Sequence, residues 1–496
     1  MNLPGYRLLI PMLLATGLVD AQQTRNNPPS VTETVQAQVD RLAEMVNREQ
    51  AALESSQRQI EELRRQVAAL QGQLVETRQA PQQTEEEAVA RLNADVESIR
   101  EHQELQQSQI ATHEQDKVES ASKYPVKLTG LILMNTFVNT AAVDVIQSPT
   151  MATGDGGTTG ISLRQTVLGL DARGPHLFGA SSDADVRMDF FGGVGQGGGY
   201  SQNGGVARLR TAHAELTWDQ TRAFFEMDRP IVSPNTPTSI TAIAQPALSW
   251  SGNLWNWMPQ VGAEHTLHLN DSSRISLQGA IADVPDPPSQ QQSNVPAPVA
   301  SLGEQSHWPG SEARLGYARG NDLTGLRVGV GGYFSPHSFS DYFSFNAWAA
   351  TVDYRIPLFA HLESSGSFYR GAALGGLGGG AYKDFVYAQQ GDEIYYRPLD
   401  DVGGWTQLKA RVNERLQFNA AYGIDNGFAH EIRPYVLNAA GAYQGLARNS
   451  TWFSNVIYSP TAYTLFSFEY RRIDSSYAIG PHAEADVYGV AGGYRF

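Results

Sequence analysis

The chain of 496 residues has no cysteine, so no disulfide bond can hold its fold together. Beyond its N-terminus it has no run of roughly 18 apolar residues, which excludes ordinary membrane-spanning helices from the rest of the chain. Basic residues are also scarce, because 36 Lys and Arg stand against 51 Asp and Glu, for a formal net charge of −15. That balance argues against nucleic acid as a partner, since such binding needs a basic surface.

Glycine and aromatic residues, by contrast, are frequent. The chain has 48 glycines, 21 tyrosines and 19 phenylalanines, yet its mean hydropathy is only −0.33. Transmembrane β-barrels combine these features, because their apolar residues alternate with polar ones and do not raise the average. The composition therefore favours a membrane barrel over a bundle of membrane helices.

The N-terminus predicts an export signal in residues 1–21. Arg7 precedes a short apolar core, and Val19-Asp20-Ala21 place compact residues where a signal peptidase cleaves. The alternative is a membrane anchor, for which the apolar core is short. The polar residues 22–30 (QQTRNNPPS) then predict a linker.

An apolar repeat of seven residues begins after the linker. This spacing keeps apolar side chains on one face of a supercoiled helix, which predicts a left-handed coiled coil. Residues 31–118 are therefore predicted to form a solvated coiled-coil stalk, and a lone amphipathic helix packed on a core is the alternative. The repeat does not decide between a dimer and a trimer. Its first position is occupied by Val39, Val46, Leu53, Ile60, Val67 and Leu74.

Residues 124–496 have a different periodicity. Apolar and polar side chains alternate there in segments of about 8–13 residues, the length that a tilted membrane strand needs. This predicts an all-β transmembrane barrel of about 16 antiparallel strands. An even number places both ends of the barrel on one side, the periplasm, where the stalk then projects. The predicted strands begin near Val126, Ile161, Ser181, Val206, Arg222, Met258, Arg274, Glu312, Leu326, Phe343, Ala360, Gly404, Leu416, Ser450, Tyr463 and Ala485.

The C-terminus carries a further signal. Phe496 is the last residue, and Tyr494, Gly492, Val490 and Tyr488 precede it at every second position. A final strand of this kind resembles the sorting signal that the outer-membrane insertion machinery reads. Together with the export signal it predicts a barrel in the outer membrane of a Gram-negative-type envelope, with the coiled coil in the periplasm.

The order of export signal, coiled coil and barrel resembles the DcaP-like outer-membrane porins. The similarity covers nearly all of the mature chain, but Phe224 to Pro230 (FFEMDRP) lack the Gly-Gln pair of the family. The resemblance implies homotrimers, about 16 strands and uptake of small anionic solutes such as dicarboxylates. The matching stretches are Leu163 to Pro175 (LRQTVLGLDARGP), Met188 to Gly192 (MDFFG), Arg208 to Leu216 (RLRTAHAEL) and Asn455 to Tyr470 (NVIYSPTAYTLFSFEY).

Charged residues at inward positions are the candidate selectivity residues. Opposed rings of charge in a pore select solutes by sign, and arginine forks bind carboxylates in a bidentate way. The alternative is that these charges only neutralise one another in the wall. Strand alternation turns the following side chains towards the lumen: Asp185, Arg187, Asp189, Arg274, Arg327, Lys409 and Arg411.

Three further arginines are candidates on other grounds. Arg208 and Arg210 are included because of the family resemblance, although they share the parity of apolar neighbours, which requires a bulge or a position above the membrane. Arg229 lies at the base of loop 228–257, which is long and stiffened by prolines. By analogy with general porins this loop is expected to fold into the lumen, and an external cap is the alternative.

The sequence as a whole predicts a porin for small hydrophilic, anionic solutes. Its expected partners are the lipid bilayer, the solutes, further copies of the chain and the insertion machinery, with no cofactor and no metal. A structural envelope tether with a barrel anchor is the alternative function. A barrel hydrolase, suggested by His213 with Glu215, lacks a Ser–His–carboxylate grouping and a His-Glu-x-x-His spacing, so the chain is not expected to be an enzyme.

Overall fold

The computed structural model describes residues 125–496, apart from 193–204, 291–298, 322–323, 340–341, 391–392 and 437–441, together with Arg65, which is helical. The chain divides into two compact units, Met1–His113 and Glu114–Phe496. The predicted signal peptide (1–21), linker (22–30) and coiled coil (31–118) lie outside the described residues, Arg65 excepted. Within the described part of the chain, no helix has the length and apolar character that crossing a membrane requires.

The second unit is built from antiparallel strands with alternating side chains. We number the barrel strands β1 to β16 in chain order; β2 is broken into two halves that both pair with β1. The strands are β1 Val126–Asn139, β2 Thr158–Ser162 with Val167–Arg173, β3 Ser181–Gly192, β4 Val206–Thr217, β5 Thr221–Asp228, β6 Met258–Asn270, β7 Ser273–Ala282, β8 Gly310–Arg319, β9 Leu326–Phe339, β10 Phe343–Phe359, β11 Leu362–Ala372, β12 Asp400–Arg411, β13 Leu416–Asn426, β14 Leu446–Tyr458, β15 Thr464–Tyr477 and β16 Ala483–Arg495.

The sheet closes on itself. Each strand pairs with its neighbours in sequence, and β1 pairs with β16 from Leu131 opposite Arg495 to Asn139 opposite Val487. Closure satisfies the backbone groups of both edge strands, which a sheet within a membrane needs. The predicted barrel of sixteen antiparallel strands is thus confirmed. The largest differences in strand starts are at β12 and β14, which begin at Asp400 and Leu446, earlier than predicted.

Alternation along each strand separates an outer from an inner face. On β10, Ala347, Ala349 and Thr351 are almost fully buried, whereas Trp348 and Val352, which alternate with them, are 42% and 50% exposed. Successive side chains of a strand point to opposite faces, so the exposed set covers the outside of the barrel and the buried set points inward. Inward packing is dense because loops fill part of the lumen.

The outer surface is asymmetric in its aromatic residues. Among the described residues of β1–β8, Phe225 is the sole strand aromatic that is widely exposed. The outer face of those strands carries aliphatic and small side chains, including Ala184 and Val261. The strands β9–β16 instead expose Phe334, Trp348, Phe359, Phe368, Phe418, Tyr422, Trp452, Tyr458, Phe466, Phe468, Tyr488 and Tyr494.

The two ends of the barrel differ. Short turns close one end, which we call the turn end, and most of the longer connections lie at the other, the loop end. At the loop end, aromatic side chains from several loops pack together: Trp250 stacks on Tyr382 and meets Trp255 edge-on. The loop elements are the hairpins Ala142–Val143 with Ala152–Gly154 and Phe385–Gln390 with Glu393–Pro398, the helices Leu302–Gln305, Ala429–Ile432 and Ala442–Gly445, and the 3-10 turns Gly375–Leu377 and Gly380–Tyr382.

Candidate functional site

The connection between β5 and β6, residues 229–257, lies inside the barrel and is called the inner loop below. Near its start, the backbone N–H of Val232 donates to Glu312 Oε2 on β8 (3.1 Å). The carbonyl oxygen of Val232 accepts from the Thr351 hydroxyl on β10 (2.9 Å). Both partners are buried, inward-facing side chains. The inner loop therefore leaves β5 by crossing towards the inner wall of the barrel.

The middle of the inner loop follows that wall. Thr238 donates its backbone N–H to Gln407 Oε1 on β12 (2.6 Å) and accepts at its carbonyl from Asn455 Nδ2 on β14 (2.9 Å). The Ser239 hydroxyl donates to Glu469 Oε2 on β15 (2.6 Å). Polar inward side chains thus take up backbone groups that would otherwise be buried without a partner.

The last part of the inner loop reaches the other side of the barrel. Gln165, in the break of β2, donates to the Thr241 carbonyl (2.9 Å) and accepts from the N–H groups of Ile243 (2.7 Å) and Ala244 (3.0 Å). Arg208 on β4 then donates to the Ala244 carbonyl (2.5 Å). Since its successive anchors lie on β8, β10, β12, β14, β15, β2 and β4, the inner loop circles the lumen. The expected constriction by loop 228–257 has this geometry, and an external cap does not.

Three guanidinium groups, those of Arg164, Arg208 and Arg210, meet beside the inner loop and form what we call the arginine cluster. Arg208 makes a two-pronged ion pair with the fully buried Asp189, at 2.8 and 3.0 Å. Arg210 Nε lies 3.9 Å from the same carboxylate. One carboxylate therefore faces three cations, and this level of the lumen carries local positive charge.

Aromatic rings form the walls of the arginine cluster. Arg164 lies over the ring of Phe191 (4.8 Å to the centroid), and Arg210 lies over Trp257 (4.8 Å). Arg208 contacts both rings, at 5.6 and 5.3 Å. Cation–π contacts hold the guanidinium planes of the cluster in place. Arg164 also donates to two backbone carbonyls and to Gln147. Among the described residues Arg210 Nη1 has no hydrogen-bond partner, which leaves this donor for an anion.

A β-bulge explains why Arg208 and Arg210 point inward despite their parity. Arg187 on β3 pairs with Thr211, but the next residue, Met188, pairs with Leu209. Arg210 is the extra residue of β4, and a bulge of one residue reverses the faces on either side of it. Of the two explanations open from sequence, the bulge is the one that the structure has.

Between the inner loop and the turn end, the wall formed by β2–β6 is predominantly acidic. Arg187 pairs with Asp171, and its Nη1 lies 3.5 Å from Asp185. His213 holds Asp185 (3.0 Å) with one ring nitrogen and Asp228 (3.2 Å) with the other. The remaining pairs join Arg222 to Glu215, Glu226 and Glu264, and Arg173 to Asp183.

The wall formed by β7–β12 at the same level is predominantly basic. Arg314 makes a two-pronged pair with Asp353 (2.8 Å for both contacts). Glu363 Oε1 lies 3.9 Å from Lys409 Nζ, and its Oε2 lies 3.6 Å from Arg411. Among the described residues, the basic side chains of this wall are Arg274, Arg314, Arg327, Arg355, Lys409 and Arg411, and its acids at this level are Asp353 and Glu363.

The two walls create a field across the pore. In a ring of sixteen strands β12 lies halfway round from β4, so Lys409 and Arg411 look across the lumen at the acidic wall. Oppositely charged walls orient a permeating dipole and hold an anion to the basic side. The arrangement can therefore guide a carboxylate along arginines without binding it in a closed pocket.

The structure distributes the predicted residues over the arginine cluster, the acidic wall, the start of the inner loop and the basic wall. Asp189, Arg208 and Arg210 meet at the arginine cluster, whereas Asp185 and Arg187 belong to the acidic wall. Arg229 starts the inner loop, where it donates to Thr236 and lies 3.7 Å from Asp228. Arg274, Arg327, Lys409 and Arg411 all belong to the basic wall.

Sequence reasoning missed Arg164 and Arg355. Arg355 follows the alternation of β10, in which Asp353 also points inward, so parity could have identified it. Arg164 lies in the break of β2, where no alternation exists to place it. The hydrolase interpretation gains no support from His213, because both of its ring nitrogens face carboxylates.

Charged groups are also buried in the loops at the loop end. Lys383 is fully buried and donates to the carbonyls of Ala381 and Leu446 (both 2.7 Å), and burial lowers its pKa to about 7. Burial raises the pKa of Asp286 to about 6, and it also raises the pKa of Asp384. Such groups tie the packing of these loops to pH.

Comparison with known proteins identifies the fold. No protein-family model matches the chain, and no curated protein matches it in sequence. The crystal structure of the outer-membrane channel DcaP of Acinetobacter baumannii matches with a TM-score of 0.55 at 16% identity, covering 76% of this chain and 99% of that one.

Two other solved structures align less closely. An anion-selective porin from Comamonas acidovorans has a TM-score of 0.45 at 11% identity, covering 75% of this chain and all 100% of that chain. Salmonella typhi OmpF has a TM-score of 0.44 at 12% identity, covering 75% and 97%. The chain therefore has the sixteen-stranded barrel fold of the DcaP outer-membrane channel, and the fold implied by the sequence resemblance is confirmed.

Proposed function

We propose that this protein is an outer-membrane porin that passes small anionic solutes, dicarboxylates among them. The observation that carries the proposal is the arrangement of basic groups inside a barrel that the inner loop narrows. The arginine cluster lies beside the inner loop, and the basic wall lies between that loop and the turn end. Both places present more guanidinium and ammonium groups than carboxylates to the lumen. Charge at the narrowest level decides the selectivity of a pore, because charges outside it are screened within about 8–10 Å.

A dicarboxylate fits this path better than a monovalent anion does. Its two carboxylates can accept in turn, first from the arginine cluster and then from the arginines of the basic wall, and each fork can be bidentate. Release is fast because acids lie beside the cations: Asp189 competes for Arg208, and Glu363 competes for Lys409 and Arg411. Conduction requires sites that bind weakly enough to let the solute leave.

Single-channel recording of the purified full chain in planar bilayers tests the pore directly. We expect discrete conductance steps, and addition of succinate should interrupt the KCl current by transient occupancy. A silent bilayer containing correctly folded barrel supports the envelope tether. Esterase or protease activity that copurifies with the barrel supports the hydrolase.

We also propose that the barrel assembles as a homotrimer through the outer face of β1–β8. Aromatic belts mark the surfaces that meet lipid, and these strands expose almost none of the aromatic residues that cover β9–β16. Their outer face holds an apolar groove of about 760 Å³ lined by Ala184, Leu209, Phe225 and Val261, among others. A groove beside a protruding phenylalanine suits a second copy of the same surface.

The remaining assignments complete the proposal. The signal peptide (1–21) directs export, the insertion machinery reads the strand ending at Phe496, and the turn end faces the periplasm. The coiled coil (31–118) projects there and strengthens the trimer. Deleting 31–118 should leave a barrel that inserts and conducts but whose oligomer dissociates at a lower temperature in native gels. An unchanged dissociation temperature would separate the stalk from assembly and leave the pore untouched.

A further inference from the structure

Outside the lumen, a cluster of metal-ligating side chains lies at the loop end of β15 and β16. Asp474 and Glu484 stand directly opposite each other in the register of these strands, and His482 belongs to the short connection between them. One donor atom from each residue lies within 4.8 Å of the other two. Glu484 shares its parity with the exposed Tyr488, which places the cluster on the outer face.

The two carboxylates converge on the imidazole of His482. Its Nε2 lies 3.0 Å from Glu484 Oε1, and its Nδ1 lies 3.5 Å from Asp474 Oδ1. The imidazole is half exposed, so an ion from solution can reach it. One ring nitrogen and one oxygen from each carboxylate therefore lie close enough together to share an ion.

A second set of contacts fixes these donors from behind. Arg472 takes Oε2 of Glu484 and leaves Oε1 free to face His482. Arg472 is itself held by Asp486 Oδ1 (3.2 Å), which also accepts from the Tyr470 hydroxyl (2.7 Å). Outer partners of this kind orient the ligands of metal sites and strengthen binding.

The negative charge of the cluster also favours a bound cation. Two carboxylates directly opposite each other on one face of a sheet repel, and Asp486 adds a third negative charge next to them. Arg472 offsets part of that charge from one side only. Among the described residues, the ion pairs of Asp474 and Glu484 on the side that faces the loop end involve only His482.

We propose that Asp474, His482 and Glu484 bind a divalent transition-metal ion of the zinc class. An imidazole nitrogen with two carboxylate oxygens suits Zn²⁺, whereas Ca²⁺ and Mg²⁺ prefer shells made of oxygen alone. Three protein ligands leave one position for water or for an anionic group at the membrane surface. Arg472 is a positioning residue of this site, and the site is independent of the pore.

Titration of the full chain in detergent with Zn²⁺, followed by calorimetry, tests this proposal. We expect one ion per chain, binding at least about tenfold weaker in His482→Ala and Asp474→Asn, and a smaller loss in Arg472→Gln. The matched control is His430→Ala, which removes an exposed histidine beside Glu431 and should change nothing. Co²⁺ should give visible absorption bands in the wild type that His482→Ala loses.

Three results would overturn the site. One is the absence of saturable Zn²⁺ binding by wild-type protein whose heat-shifted gel mobility shows a folded barrel. Another is Zn²⁺ affinity that stays the same in His482→Ala, which would leave His482 as the counter-charge of an ion-pair network. Equal affinity for Ca²⁺ and Zn²⁺ would likewise contradict a site that depends on the imidazole.

Discussion

Arg327 on β9 and Arg355 on β10 stand directly opposite each other in the register of the two strands, with both side chains on the inner face of the barrel. Like charges at directly opposed positions destabilise a sheet by roughly 0.2–1 kcal/mol. Arg314 and Lys409 extend the same wall, and Asp353 pairs with Arg314. Basic side chains gathered on one wall of the lumen are expected where the charge serves permeation.

Replacing either arginine should therefore reduce anion preference. Removing one charge about 4 Å from a passing anion costs about 1 kcal/mol at the dielectric constant of water, so Arg327→Ala and Arg355→Ala should each lower the chloride-to-potassium permeability ratio up to roughly fivefold. Reversal potentials in a KCl gradient measure this ratio. Arg319→Ala is the matched control, because Arg319 is exposed at the end of neighbouring β8. An equal effect of Arg319→Ala would show that the position of the charge does not matter.

Releasing the inner loop should widen the pore. Gln407 and Asn455 hold the N–H and the carbonyl of Thr238, and each hydrogen bond contributes about 1 kcal/mol. The double variant Gln407→Ala, Asn455→Ala should raise the mean single-channel conductance and its open-channel noise. Asn346→Ala, which removes an exposed amide from the outer face, should match the wild type. Unchanged conductance in the double variant would mean that the constriction lies elsewhere.

Much of the barrel could be predicted because alternation acts on each strand by itself. Strands such as β1, β9 and β13 begin where the sequence predicts, at Val126, Leu326 and Leu416. Alternation fails at the loop ends of β12 and β14, because their outermost residues pack against loops as well as against lipid. Asp401 and Ala447, near the starts of these strands, are both buried. Apolar and polar residues therefore no longer mark opposite faces there.

The candidate site was only partly predictable, for a different reason. Lys409 and Arg411 follow strand parity, but the path of the inner loop depends on side chains distant in sequence, such as Gln165 and Glu469. No local pattern marks a polar residue as the anchor of a loop. The inward direction of Arg208 depends on one extra residue in β4, Arg210, which reverses the faces of the residues before it relative to those after it.

The proposed subunit interface can be tested with cysteines, since the chain has none of its own. Ala184 on β3 and Ala420 on β13 are both exposed on the outer face of a monomer and lie at similar positions along their strands. Ala184→Cys should resist a lipid-soluble maleimide until the oligomer is dissociated, because a second copy covers it. Ala420→Cys should react at once. Equal labelling of the two in the native membrane would place lipid, not protein, against β3.

Acid should tighten the loops at the loop end. Burial raises the pKa of Asp286 from 3.8 to about 6. Between these two pH values Asp286 is therefore protonated in the docked loop and ionised in the released loop. Docking is therefore favoured below pH 3.8 and loses this contribution as pH rises through about 6. Hydrogen exchange of residues 283–290, corrected for intrinsic rates, should be slower at pH 5 than at pH 7.5.

Asp286→Asn should remove most of this pH dependence, because the neutral amide keeps an acceptor for the Leu302 N–H. Asp155→Asn, which changes an exposed acid in another loop, should retain the dependence of the wild type. A pH profile that is identical in wild type and Asp286→Asn would assign the effect to another group.

The reversal potential of the wild-type protein in a tenfold KCl gradient tests the central claim most directly. Residues 124–496 carry 24 basic and 32 acidic side chains, a net charge of −8, so a pore governed by total charge would prefer cations. We predict a reversal potential whose sign shows that chloride is more permeant than potassium, because the arginine cluster and the basic wall act where the lumen is narrow. A reversal potential of the opposite sign, which shows potassium to be more permeant and does not change in Arg355→Ala, would contradict the account. It would leave a barrel whose lumen charges only pair with one another.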